Sequence, residues 1–162
     1  MKEIRISLWN HLKHLTPIVI AVTIWCLLTI YDKSIHEKVS YVILVFWFYI
    51  LANVIVVLYL HIEYFILNRG VKIKYDTELL LYIKKDITIE LSKKDIRKIS
   101  MHHSFFYKQP SGIFASDNYC FFEIIMNSGK RIIITSLLDS NFEKKINSDF
   151  VIKKRLFASV YL

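Results

Sequence analysis

A chain of 162 residues that is 54% hydrophobic and 15% aromatic, with a formal charge of +8, has room for one folded domain at most beside any membrane segments. Three Gly and two Pro argue against a long flexible linker, and two Cys inside apolar runs, Cys26 and Cys120, argue against a disulfide framework or a metal site. The charge is uneven: residues 68–162 hold 17 Lys+Arg against 10 Asp+Glu, so a basic body is expected beside the anionic inner face of a membrane.

Residues 2–15, KEIRISLWNHLKHL, place Ile4, Leu8, Leu12 and Leu15 at helical spacing. They fit either a short interfacial helix or the cytoplasmic flank of a first span, with Lys2, Arg5 and Lys13 reaching toward headgroups. The first span is Leu15–Tyr31, roughly 26 Å of helix, with Pro17 in its first turn where a missing N–H costs little. No small-x-small site follows the run, so cleavage as a signal peptide is not expected. The link Asp32–Tyr41 is brief, which makes the two spans an antiparallel hairpin. The second span, Val42–Leu60, reads VILVFWFYILANVIVVLYL. It carries no charge and is apolar on every side, and roughly 28 Å of such helix matches the hydrocarbon thickness of a bilayer. Cations crowd the outer ends of the hairpin, with few in the link. The positive-inside rule therefore puts both termini in the cytoplasm and the protein in the cytoplasmic (inner) membrane. Asn53, the strongly polar side chain near the middle of the second span, lies at the depth of Thr23 in the first, and a hydrogen bond between them is expected.

Asn68-Arg69-Gly70 breaks the second helix, and the apolar period then falls to two. Val71, Ile73 and Tyr75 alternate with Lys72, Lys74 and Asp76. LLLYIKK, ITIEL and DIRKIS read as further strands, and EIIMNSGKRIIITS is a hairpin around Asn127-Ser128-Gly129. Its runs are apolar on both faces, as in a strand covered on both sides. Between them HHSFFYKQPSGIFASDN reads as an aromatic loop, and the tail allows a short helix over Asn141–Ile146. Six or seven short strands make a small antiparallel barrel or sandwich, so the whole is an α+β membrane protein. Residues 1–67 form the transmembrane hairpin and residues 68–162 a cytoplasmic β-domain.

Catalytic patterns are missing from the chain. It has no GxGxxG or GxxxxGK[ST] loop and no G-x-S-x-G elbow, and Glu90 and Asp95 read as solvent-facing charges. His102-His103 reads as a surface pair whose rings point to opposite faces of a strand. The residues expected to meet a partner or lipid are Lys72, Lys74, Lys84 and Lys85 around the first strand turn, and the aromatics Phe105, Phe106, Tyr107 and Phe114. Lys153-Lys154-Arg155, just before the apolar LFASVYL, shares the ambiguity between a lipid-facing edge and a solvated one.

Two N-terminal spans followed by ITIELSKKDIRKI and then EIIMNSGKRIIITSLL resemble the bacterial PH-like domains carried by small membrane proteins, over about residues 62–140. That resemblance implies a seven-stranded, strongly bent sheet closed by a C-terminal helix, with no catalytic residues and no cofactor to carry over. Inositol-lipid specificity is not implied, since Lys72, Lys74 and Lys84 match the phosphoinositide-reading pattern loosely. The expected function is a membrane-anchored, non-enzymatic module that binds a protein partner or scaffolds a membrane complex. The alternatives are an anionic-lipid sensor and, ranked lower, a membrane-tethered DNA binder of LytTR type.

Overall fold

The structure, a computed structural model, describes residues 2–32, 40–75, 79–85, 87–108, 115–146 and 150–161. It begins with a strand, β1 (Lys2–Arg5), where helix or membrane flank was expected; the helix α1 starts only at Leu8 and runs to Asp32. A second helix, α2, covers Ser40–Asn68. Both are long and apolar enough to cross a membrane, and only 11% and 17% of their most apolar windows are buried within the chain. Core helices of a water-soluble domain would hide far more. The two pack through contacts such as Trp25 stacked on Phe46, with ring centroids 4.9 Å apart. Because α1 starts at Leu8, Pro17 sits in the helix interior rather than in its first turn.

The strands that follow are β2 (Val71–Tyr75), β3 (Leu79–Lys84) and β4 (Ile87–Ser92), with β1 completing an antiparallel sheet of order β1-β2-β3-β4. Arg5 pairs with Lys72 and Ile4 with Ile73, so the first residues of the chain belong to the β body rather than to the helical hairpin. A 3-10 turn at Lys93–Asp95 leads into the second sheet. That sheet has the order β7-β6-β5-β8, from β5 (Ile96–Ser104), β6 (Cys120–Met126), β7 (Arg131–Thr135) and β8 (Val151–Arg155). The β6–β7 hairpin turns at Gly129, whose φ of +80° is the left-handed conformation the Asn-Ser-Gly signal called for.

The expected antiparallel barrel or sandwich is met in part, by two sheets that share one core. The described strands number eight, in two open sheets rather than a closed barrel, and β8 runs parallel to β5. The tail after Asn141 supplies that last strand; only the single turn α3 (Phe142–Lys145) is helical, so no long C-terminal helix closes the sheet. Alternation explains the layers. Val71, Ile73, Tyr82 and Leu91 from the first sheet meet Ile99, Met101, Phe122, Ile124, Ile132 and Ile134 from the second in one core, joined by Leu138 and Phe142. The other face of the second sheet is covered too. Tyr119, Phe121 and Leu137 pack in a separate cluster with Ile18, Val57, Leu60, Tyr64 and Ala158. That is why the hairpin strands are apolar on both faces.

Candidate functional site

The strand ends at Ser104, Cys120, Thr135 and Arg155 all lie at one end of the second sheet, as the antiparallel and parallel pairings require. The helix pair docks there, and polar side chains make the joint. Asn68, the last residue of α2, is buried against β7, an edge strand. Its amide nitrogen donates to the Ile133 carbonyl at 3.2 Å, and its oxygen accepts from the Thr135 N–H at 3.1 Å and the Thr135 hydroxyl at 2.5 Å. One side chain thus satisfies the outward backbone groups of an edge strand as a neighbouring strand would. Lys84 donates to the Leu67 carbonyl at 3.0 Å, closing a free carbonyl at the end of α2.

On α1, Asn10 donates to the carbonyls of Leu137 and Leu138 at 3.0 and 3.2 Å. The buried His14 has its Nδ1 3.0 Å from the Asn10 carbonyl, which can only accept; Nδ1 therefore carries the proton, and Nε2 accepts from the Ser136 hydroxyl at 3.1 Å. A second chain crosses from helix to helix. His11 Nδ1 is 2.7 Å from His61 Nε2, and His61 Nδ1 is 2.9 Å from the Tyr119 hydroxyl. Burial raises the pKa of Tyr119 well above the phenol range, so it stays a neutral donor. On α2, Glu63 Oε1 accepts from the Ser159 hydroxyl and from the N–H groups of Val160 and Tyr161 at 3.1, 2.8 and 3.0 Å. The Tyr64 hydroxyl donates to the Ala158 carbonyl at 2.5 Å. Lys84 apart, none of these junction residues was singled out as a site from the sequence. Their one visible signal is polar side chains (His11, His14, His61, Glu63 and Asn68) at the ends of otherwise apolar helices.

The lysines expected to form one cationic edge are divided by the sheet. Lys72 and Lys74 pair with Ile83 and Leu81 on its outer face, with Lys74 3.9 Å from Glu3, whereas Lys84 pairs with Val71 on the core side and turns to the end of α2. Lys85 is exposed in the β3–β4 turn with φ +54°. Of the aromatic loop, Phe105 and Phe106 are 52% and 38% exposed, whereas Tyr107 folds inward. Tyr107 stacks on His103 at 5.0 Å, and its hydroxyl accepts from the Cys120 thiol at 3.2 Å. Burial pushes that thiol up to about 11. Phe114 lies outside the described residues.

The Asn53–Thr23 bond does not form. Asn53 is buried, as a packing role requires, but its amide donates to the Tyr49 carbonyl at 2.9 Å; Thr23 is exposed and donates to the Val19 carbonyl at 2.9 Å. Each finds a partner one turn back in its own helix, which costs no cross-helix alignment.

His102 and His103 are also corrected, from surface pair to buried pair, because β5 runs on to Ser104 and lies between β6 and β8. The two rings do take opposite faces. His102 stacks on Phe121 at 4.4 Å and donates from Nε2 to Glu123 at 3.2 Å. Glu123 is also paired with Arg131 at 2.5 Å and lies 3.7 Å from Lys153. Burial, then the nearby Arg155, lowers the pKa of His102 below the ordinary imidazole value. Its buried Nδ1 has no partner among the described residues, which suits a bare lone pair and not an N–H. For Glu123 burial acts upward, but Arg131, His102 and Lys153 outweigh it and hold the carboxyl below its usual range.

Among the described residues no three His, Cys, Asp or Glu side chains converge as metal ligands would. A hollow of about 370 Å³ opens between β1, the start of α1 and residues 138–141, lined by Glu3, Arg5, Trp9, Lys13 and Asp139 among others. It is an open polar trough.

Comparison with known proteins adds one match: a family model described as a PH domain aligns with residues 3–144. That range starts inside β1, runs through both apolar helices and ends in α3. No curated protein and no solved structure matches the chain.

Two outcomes are expected. Asn68→Leu leaves Ile133 O and Thr135 N unpaired on a buried edge, at about 1–3 kcal/mol for each group. Denaturation of the chain in detergent should show the loss, and the Thr135 amide should exchange faster; unchanged exchange would mean that the edge finds other partners. The His102–Glu123 pair makes stability depend on pH. Both groups have a lower pKa folded than unfolded, so the unfolded chain takes up their protons first. Their contribution is intact at neutral pH, starts to fall below about pH 6.5 with His102, and falls further through the carboxylate range with Glu123. His102→Gln should flatten the upper part of that decline in a pH series of melting temperatures.

Proposed function

As the chain belongs to the PH-domain family, we propose that it is a membrane-anchored, non-enzymatic PH-like module that binds a protein partner or scaffolds a membrane complex. The observation that carries this reading is the polar joint. A domain on a flexible tether samples every orientation, but here Asn10, His14, His61, Glu63, Tyr64 and Asn68 bond both helices to the sheet and the segment around it. With α1 and α2 across a bilayer, the β body is held at one height and one orientation. That is the property a docking surface needs, since a pre-set pose lowers the ordering cost of association.

In this reading Phe105 and Phe106 are the contact residues, exposed aromatics at the helix-facing end of β5. The anionic-lipid alternative is weaker, because its lysines stand on two faces of the first sheet and Lys84 is engaged at the end of α2. A nucleic-acid role rests on net charge alone.

Orientation is tested by single-cysteine labelling in intact cells. Ser34 should react with an impermeant reagent from outside and Ser128 should not; external labelling at Ser128 would reverse the topology. The partner is tested by placing p-benzoylphenylalanine at Phe105 or Phe106 in the full chain and irradiating native membranes. A protein adduct of discrete mass is expected, and adducts with lipid alone would overturn the protein-partner reading.

A further inference from the structure

Exposed apolar side chains run along α1 from Leu8 to Ile30 and along α2 from Leu44 to Ile66. Each stretch is roughly 33 Å long at 1.5 Å per residue, slightly more than a hydrocarbon core. A bilayer wide enough to cover them therefore reaches the β body itself, and Glu63 falls inside the covered stretch between the exposed Ile62 and Phe65. A carboxylate at that depth has to be satisfied by protein. Glu63 is buried, and its Oε1 collects the Ser159 hydroxyl and the N–H groups of Val160 and Tyr161, while Oε2 has no partner among the described residues. Those bonds fix residues 159–161 at the depth of Glu63.

The rest of the segment agrees with that placement. Phe157, Ala158 and Val160 share a packed cluster with Ile18, Val57 and Leu60 of the helices. Leu156 and Tyr161, at its two ends, are turned outward and are 74% and 70% exposed. The exposed Lys154 stands just before it, where headgroup phosphates would lie. An apolar residue and a tyrosine flanked by a cation, held beside a helix at its emergence point, have the chemistry of the headgroup–acyl boundary.

We propose that Leu156–Tyr161 lies in the headgroup–acyl boundary of the leaflet next to the β body, with Leu156 and Tyr161 in contact with lipid. The inference rests on the reading that α1 and α2 cross a bilayer. The segment then acts as a third membrane contact, besides the two helices.

The test uses the full chain in vesicles of phosphatidylcholine and phosphatidylglycerol, with p-benzoylphenylalanine at one position at a time and lipid adducts read by mass spectrometry. Phe48, exposed on α2, reports the span, and Lys94, at the opposite end of β5 from Ser104, reports the aqueous side. Adducts at Leu156 and Tyr161 within several-fold of the Phe48 yield, with at least ten-fold less at Lys94, are the expected result. Adducts at Phe48 but at neither Leu156 nor Tyr161 would overturn the proposal and leave the spans standing. No adduct at Phe48 would overturn both. Crosslinks from Leu156 or Tyr161 to protein instead of lipid would also overturn it, in favour of a protein contact. Two positions are probed so that a substitution that misfolds the chain at one leaves the other to decide.

Discussion

Asn68 stands where a helix, which satisfies its own backbone, gives way to sheets, which cannot do so at their edges. β7 is such an edge, and the carboxamide of Asn68 supplies both a donor and an acceptor to it at the spacing of a peptide group. Without that side chain the edge would need another strand or water, and the cluster of Tyr119, Phe121 and Tyr64 leaves little room for either. The direction in which α2 leaves the sheet follows from this bond, and the places of α1 and the 156–161 segment follow from α2. The remaining polar contacts, from Glu63, Tyr64, His61 and His14, build outward from it.

The joint is polar because of what surrounds it. Apolar contacts alone would let the helices slide over the sheet, since hydrophobic attraction has no direction. Hydrogen bonds between buried groups have one geometry, and leaving one unmade costs more than making it gains. Six side chains from α1 and α2, bonded to three different parts of the β body, admit a single pose. The same economy appears at His102 and Glu123. A buried imidazole that donates to a carboxylate already held by Arg131 ties β5, β6 and β7 together on the face that the helices cover.

The distribution of charge shows how a fold can divide what a sequence groups. Lys72, Lys74, Lys84 and Lys85 are close in the chain and look like one basic edge. Alternation along β2 and the pairing of β2 with β3 send Lys72 and Lys74 to the outer face and Lys84 to the inner one, where the nearest unsatisfied group is the Leu67 carbonyl. A cation at a helix C-terminus also sits at the negative end of the helix dipole. Lys84 is therefore an anchoring residue of the joint.

Composition and periodicity determined the two apolar helices, the strands from Val71 to Ser100 and the hairpin at Gly129, because each depends on a pattern contained within its own segment. They also placed Cys120 inside an apolar run, where it is buried, and Phe105 and Phe106 in an aromatic loop, where they are exposed. Three features were decided by tertiary structure alone. Lys2–Arg5 reads as part of a helix and becomes a strand because β2 offers an open edge to it. β8 pairs parallel to β5 across almost fifty residues of chain, a register that no local pattern encodes. His102 and His103 are buried because that pairing puts β5 in the interior of its sheet. Asn53 and Thr23 are the opposite case: each bonds to its own helix, since the carbonyl one turn back is already in place and a partner on another helix has to be brought there. Sequence patterns specify which faces are apolar; which polar groups meet depends on long-range pairing, and the joint that sets the pose of this protein consists of such meetings.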